Sequence, residues 1–136
     1  MLLNPRMYPL THDERRQVYG RLVRGTDEPP ADADALAERW NFLMAAHVVG
    51  QHDPGLHLDS HRRMLQLARA SGDWHEAAGQ ALRITLLPLG HLLQRLPEGN
   101  VGRSTAGITE TMVPPEPVQL LIDWAVLGTR IASTRC

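Results

Sequence analysis

Four of the seven histidines lie close together in the sequence, at His47, His52, His57 and His61. His57 and His61 are spaced i, i+4. On a helix this spacing stacks two imidazoles on one face, about 5–6 Å apart at Cβ. Two such rings can share one ion at Zn–N or Cu–N distances near ~2 Å. His47, arriving from a neighbouring helix, would complete a three-nitrogen set with an open position. Imidazole suits Zn, Cu, Fe and Ni, so ligand type alone does not choose the ion; Cu, Zn and Fe are the candidates. Met64, one turn beyond His61, would tilt the choice toward copper if its thioether joined.

The helices expected around these residues aim them inward. An α-helix turns 100° per residue, so faces follow from spacing. Leu58, Met64, Leu65 and Ala68 define an apolar arc about 120° wide, and His57 and His61 fall inside it. Asp59, Arg62, Arg63, Gln66 and Arg69 occupy the other side. In the preceding helix His47 and Gln51 share a face with Leu36, Trp40, Leu43, Met44 and Val48. His47 ends its helix and His57 opens the next across a short turn, so an antiparallel pairing brings them together. Core histidines can also be satisfied separately, each by its own carbonyl or carboxylate. An unsatisfied buried polar group costs about 1–3 kcal/mol, so three inward rings would need three separate arrangements where one metal serves all. That favours the metal.

A third helix carries Glu76, Gln80 and Arg83 at i, i+4 and i+7, opposite Ala77, Ala78, Ala81, Leu82 and Ile84. Periodicity alone reads this stripe as a solvated face, with Glu76 closing a capping box. The sharper reading turns it toward the histidines, with Glu76 as a fourth ligand and Gln80 and Arg83 supporting the site. His12, His52, His75 and His91 read as exposed or structural. Gly99 to Gly102 reads as a turn.

The elements that must position these residues are all helical. Thr11 and Glu14 form a T-x-x-E capping box opening a helix to about Arg24. Asp32 or Asp34 caps the next helix, to about Gln51. Asp53 and Pro54 start another, reaching Ser71 before Gly72. Asp73 and Glu76 open a fourth, through about Leu96 and bent at Pro88. A last helix spans roughly 117–128, with Leu120, Leu121, Trp124 and Leu127 on a face suited to pairing with a second copy. Strand signals are nearly absent. The expected fold is all-α, a small bundle of antiparallel α-hairpins with tetratricopeptide-like packing. The chain reads as one domain over 1–136, its core at 32–128, with 1–31 as an N-terminal extension and 129–136 as a frayed tail.

The bulk properties narrow the function classes. Net charge is −1, and all fourteen basic residues are Arg. No electrostatic pull toward nucleic acid or membrane follows. The single cysteine, Cys136, cannot form an internal bridge, and no apolar leader opens the chain. The expected location is the cytoplasm. No G-x-S-x-G, Cys–His pair or Walker motif is present, so nucleophilic and nucleotide chemistry have no support.

Ala46-His47-x3-Gln51, His57-x3-His61-x2-Met64, Glu76-x3-Gln80-x2-Arg83 and Pro97-Glu98-Gly99-Asn100-Val101-Gly102 together resemble the bacterial domain-of-unknown-function family 3703. The resemblance covers roughly residues 36–124. It implies a small helical protein and, because members lie beside heavy-metal handling genes, a link to metals. It also implies that His47, Gln51, His57, His61, Glu76, Gln80 and Arg83 form one polar set, which lifts the sharper reading of the third helix. Val101 stands where the family has Thr, so a hydroxyl from that loop is in doubt; the N-terminal extension is also longer. The expected function is therefore a transition-metal-binding protein, in metal handling or as a metal-dependent enzyme with a small-molecule substrate. The competing expectation is a tetratricopeptide-like adaptor without metal.

Overall fold

Most helices begin where a short polar side chain can take up their first free N–H groups. The computed structural model describes residues 9–93, 100–104 and 113–136. It has five helices, α1 (His12–Val23), α2 (Ala33–Gly50), α3 (Pro54–Ala70), α4 (Trp74–Leu92) and α5 (Glu116–Ser133), and no strand among the described residues. Thr11 and Glu14 make both bonds of the capping box. Asp32 caps α2 through Ala35 N–H, and Asp53 caps α3 through the N–H groups of Gly55 and Leu56. Asp73 caps α4 through Glu76 N–H. The Glu76 carboxylate does not complete the expected box; it is buried elsewhere, as described below. The chain is all-α.

α2 is the central helix, packing against α1, α3 and α5, while α4 packs against α3. Two apolar clusters result. Val18, Tyr19 and Leu22 of α1 meet Ala45, Ala46 and Val49 of α2 and Val118, Ile122, Ala125 and Val126 of α5. Trp40 and Leu43 of α2 meet Met64, Leu67 and Ala68 of α3 and Ala77 of α4. The core expected to start at residue 32 therefore begins in α1. Val18 and Leu22 are fully buried, and Tyr19 Oη donates to Asp59 of α3 at 2.7 Å. The tail differs too. α5 runs to Ser133 because Thr129, expected in the frayed end, is buried and its hydroxyl returns to Ala125 O.

α4 is mounted with its polar side inward. Glu76, Gln80 and Arg83 are buried, whereas Leu82, Leu86 and Leu89 are exposed. The solvated-stripe reading is thus reversed. No helix among the described residues is long and apolar enough to cross a membrane.

Candidate metal centre

His47 comes from the last turn of α2, and His57 and His61 from the first two turns of α3. All three are at least 94% buried. Their Nε2 atoms form a nearly equilateral triangle: 3.1 Å between His47 and His57, and 3.2 Å from His61 to each. Nitrogens 3.1–3.2 Å apart lie about 1.8 Å from their common centre, so the three could hold one ion at the usual ~2.0–2.1 Å. The spacing fits a metal.

The hydrogen bonds behind the triangle decide which nitrogens carry hydrogen. His47 Nδ1 lies 2.7 Å from the carbonyl oxygen of Asn100. A carbonyl only accepts, so Nδ1 carries the proton and Nε2 presents a lone pair. Gln80 Nε2 donates to Glu76 Oε1 and to Gly102 O, which turns the Gln80 oxygen toward His61. His61 Nδ1 therefore donates to Gln80 Oε1 at 2.7 Å, and its Nε2 is also a bare lone pair. His57 Nδ1 meets His91 Nε2 at 2.9 Å. If His57 donates there, all three Nε2 atoms are bare. If instead its proton is on Nε2, a single hydrogen faces two lone pairs. In either tautomer, lone pairs of His47 and His61 oppose each other across 3.2 Å.

Extra protons do not readily resolve this clash. Burial, then the neighbouring imidazoles, hold the His47 pKa well below the usual histidine value. Burial followed by His61 and His91 pushes His57 down to about 3. Burial also brings His61 down to about 4, with the Arg83 charge adding to it against the opposing pull of Gln80 and Glu76. The rings stay neutral near pH 7, which is the form that binds metals.

Glu76 stands one hydrogen bond further out. Burial alone would raise its pKa, but the Ser104 hydroxyl and N–H, then Gln80 and the Arg103 charge, outweigh it and hold the carboxyl below its usual value. Arg103 Nε lies 3.3 Å from Glu76 Oε1, and the same guanidinium stacks over Trp40. The described residues with ligand atoms converging on one point are His47, His57 and His61, without Glu76. Glu76 instead orients Gln80, which orients His61. Arg83 donates from Nη2 to Arg103 O at 2.7 Å, and Gln51 is buried where α2 ends. Met64 is fully buried in the cluster around Trp40 and Leu43.

Sequence reasoning missed two contributors. His91, expected to be exposed or structural, meets the outer nitrogen of His57 at 2.9 Å. Its signal was available: positions 76, 80, 83, 87 and 91 share one helical face. The segment at 100–104, which overlaps the turn expected over Gly99 to Gly102, is the second. It supplies the Asn100 carbonyl to His47, the Gly102 carbonyl to Gln80 and the Ser104 hydroxyl to Glu76. A hydroxyl thus does come from the loop, from Ser104 and not from the Val101 position. Gly102 has φ +81°, and a Cβ there would lie 2.6 Å from His47 Cδ2. Of the remaining histidines, His12, His52 and His75 are exposed.

Fold and site together define an all-α protein with a buried histidine triad at metal-ligand spacing. The chain belongs to the family described as Protein of unknown function (DUF3703), whose sequence profile matches residues 14–122. That match begins inside α1, further upstream than the motifs that first carried the resemblance. No curated protein and no solved structure matches the chain at a significant level.

Proposed function

We propose that this protein binds one transition-metal ion, Cu, Zn or Fe, through Nε2 of His47, His57 and His61. The observation that carries the reading is the tautomer pair: two buried neutral imidazoles whose lone pairs face each other at 3.2 Å. An ion at their common point converts that repulsion into bonds and satisfies His57 as well. An all-imidazole set is compatible with each of the three metals, and the burial of Met64 among apolar residues removes the reason to favour copper. Asn100, Gln80 and His91 hold the outer nitrogens, as hydrogen-bond partners of metal-bound histidines do. The role is metal handling, or metal-dependent catalysis on a small molecule, in the cytoplasm.

Metal analysis of protein purified without a His tag tests this. The expected result is about one equivalent of Cu, Zn or Fe per chain, abolished by His57→Ala plus His61→Ala with helicity retained. Native protein that holds none of these ions, and takes up none, would overturn the reading.

One observation favours a second reading, an interaction module of tetratricopeptide-like type. α4 exposes Leu82, Leu86 and Leu89, and α5 exposes Leu120, Trp124 and Leu127. In that reading the α5 face pairs with a second copy or a partner helix. Sedimentation of the metal-free protein checks it; a monomer at all concentrations counts against pairing.

A further inference from the structure

On the solvent side of α3, away from the inward-facing histidines, a groove of about 570 Å3 lies where α4 begins. Arg62, Leu65, Gln66, Arg69, Ala70 and Trp74 line it, with no acidic side chain among them. Arg62 and Arg69 are exposed, and neither guanidinium has a hydrogen-bond or ion-pair partner among the described residues. Arg63 shows the contrast: Asp59 and Asp27 each hold it at 2.8 Å. The two unpaired guanidiniums belong to residues two turns apart on α3, roughly 10 Å along its axis. Leu65 and Ala70 put apolar surface between and beside them, and the Trp74 indole is 67% exposed.

The groove continues into an uncharged face. Trp74, Ala78, Leu82 and Leu89 fall on one outward side of α4 at helical spacing, and all four are exposed. None of the exposed residues from Trp74 to Leu93 is Asp, Glu or Arg. Arginine and tryptophan set together beside apolar surface are the residues that dominate protein interfaces.

We propose that this groove docks an acidic, amphipathic segment of a partner protein. Its carboxylates meet Arg62 and Arg69, and its apolar side chains cover Trp74 and the adjoining face of α4. Each guanidinium offers paired N–H donors that match a carboxylate, and the indole offers a large rigid contact area. A bare small anion would leave Leu65, Ala70 and the indole unused. Nucleic acid or an anionic membrane calls for a longer run of positive charge than two arginines supply on a chain of net charge −1. This inference rests neither on the metal reading nor on pairing through α5.

The test pans the full chain against short random peptides displayed on phage. Enriched sequences should carry at least two acidic residues flanking an apolar one. A selected peptide, made synthetically with a fluorescent label, should bind the wild-type chain saturably, and less tightly as salt rises. Arg62→Gln combined with Arg69→Gln should weaken it about tenfold or more, and Trp74→Ala about as much. Circular dichroism checks that the variants keep their helices; should the double variant not fold, Arg69→Glu alone decides, with the same loss expected. Absence of enrichment, enriched sequences free of acidic residues, or undiminished binding by a folded variant would overturn the proposal. So would tighter binding of oligothymidylate or of phosphatidylserine vesicles than of the selected peptide.

Discussion

His57 differs from its two partners in what stands behind it. Asn100 O and Gln80 Oε1 are acceptors with no choice of role, so His47 and His61 are locked with Nε2 bare. His57 leans on another imidazole, His91, at 2.9 Å, and both proton positions are open to it. For His57 to bind the proposed metal through Nε2, its proton must be on Nδ1, and His91 would then be the acceptor that holds it there. Replacing His91 with Ala should weaken metal binding by about 10–100-fold, the usual effect of losing such a partner. His91→Gln, which keeps an acceptor, should recover part of it. Competition titrations with a chromogenic chelator would measure both; equal affinity in His91→Ala and wild type would refute the assignment. Glu76 teaches a related lesson. Its capping-box spacing was real but misleading, because Asp73 needs only Glu76 N–H, leaving the carboxylate free to turn inward.

α4 and the loop at 100–104 form the wall of the site that α2 and α3 cannot provide. The loop is wedged between them: a Cβ at Gly79 would overlap Ser104, and one at Gly102 would strike the His47 ring. Gly102→Ala therefore carries two penalties, a strained φ of +81° and a clash at 2.6 Å from His47 Cδ2. Gly25, at φ +79° with nothing within 4 Å, carries only the first. Gly25→Ala should cost about 1–2 kcal/mol in thermal or denaturant unfolding. Gly102→Ala should cost more and, unlike Gly25→Ala, should also lower the stabilisation that added Zn2+ provides, by displacing His47. Identical Zn2+ responses in the two variants would show that the loop does not position His47.

The whole molecule should carry the signature of three histidines buried in neutral form. Their folded pKa values lie below the unfolded value of about 6.5, near 3 for His57, near 4 for His61, and well below the ordinary value for His47. Below about pH 6.5 the unfolded chain binds protons that the folded chain refuses, so stability falls as pH falls and continues to fall toward the folded pKa values. Above that point these groups contribute no pH dependence. Each group adds up to about 1.4 kcal/mol per pH unit, so the metal-free protein should lose stability steeply between about pH 6 and 4. Urea unfolding across that range measures the slope, and His57→Ala plus His61→Ala should flatten it. A metal would make the acid loss steeper still, since protons and ion compete for the same lone pairs.

What was legible in the chain was local or periodic. Caps at Thr11, Asp32, Asp53 and Asp73 depend on residues within one turn, so helix starts could be placed from neighbours alone. The inward aim of His47, His57 and His61 follows from the 3.6-residue period, which ties each ring to the apolar side of its own helix. Three things needed the tertiary structure. α1 joined the core because Val18 and Leu22 found α2 and α5, partners remote in sequence. α4 turned its polar stripe inward, against its own amphipathic pattern, because hydrogen bonds from His61, His57 and the distant loop were available there. The proton positions of His47 and His61 were settled by Asn100 and Gln80, 53 and 19 residues from the rings they hold. Periodicity says which way a side chain points, but only the packing of one helix on another says what it meets.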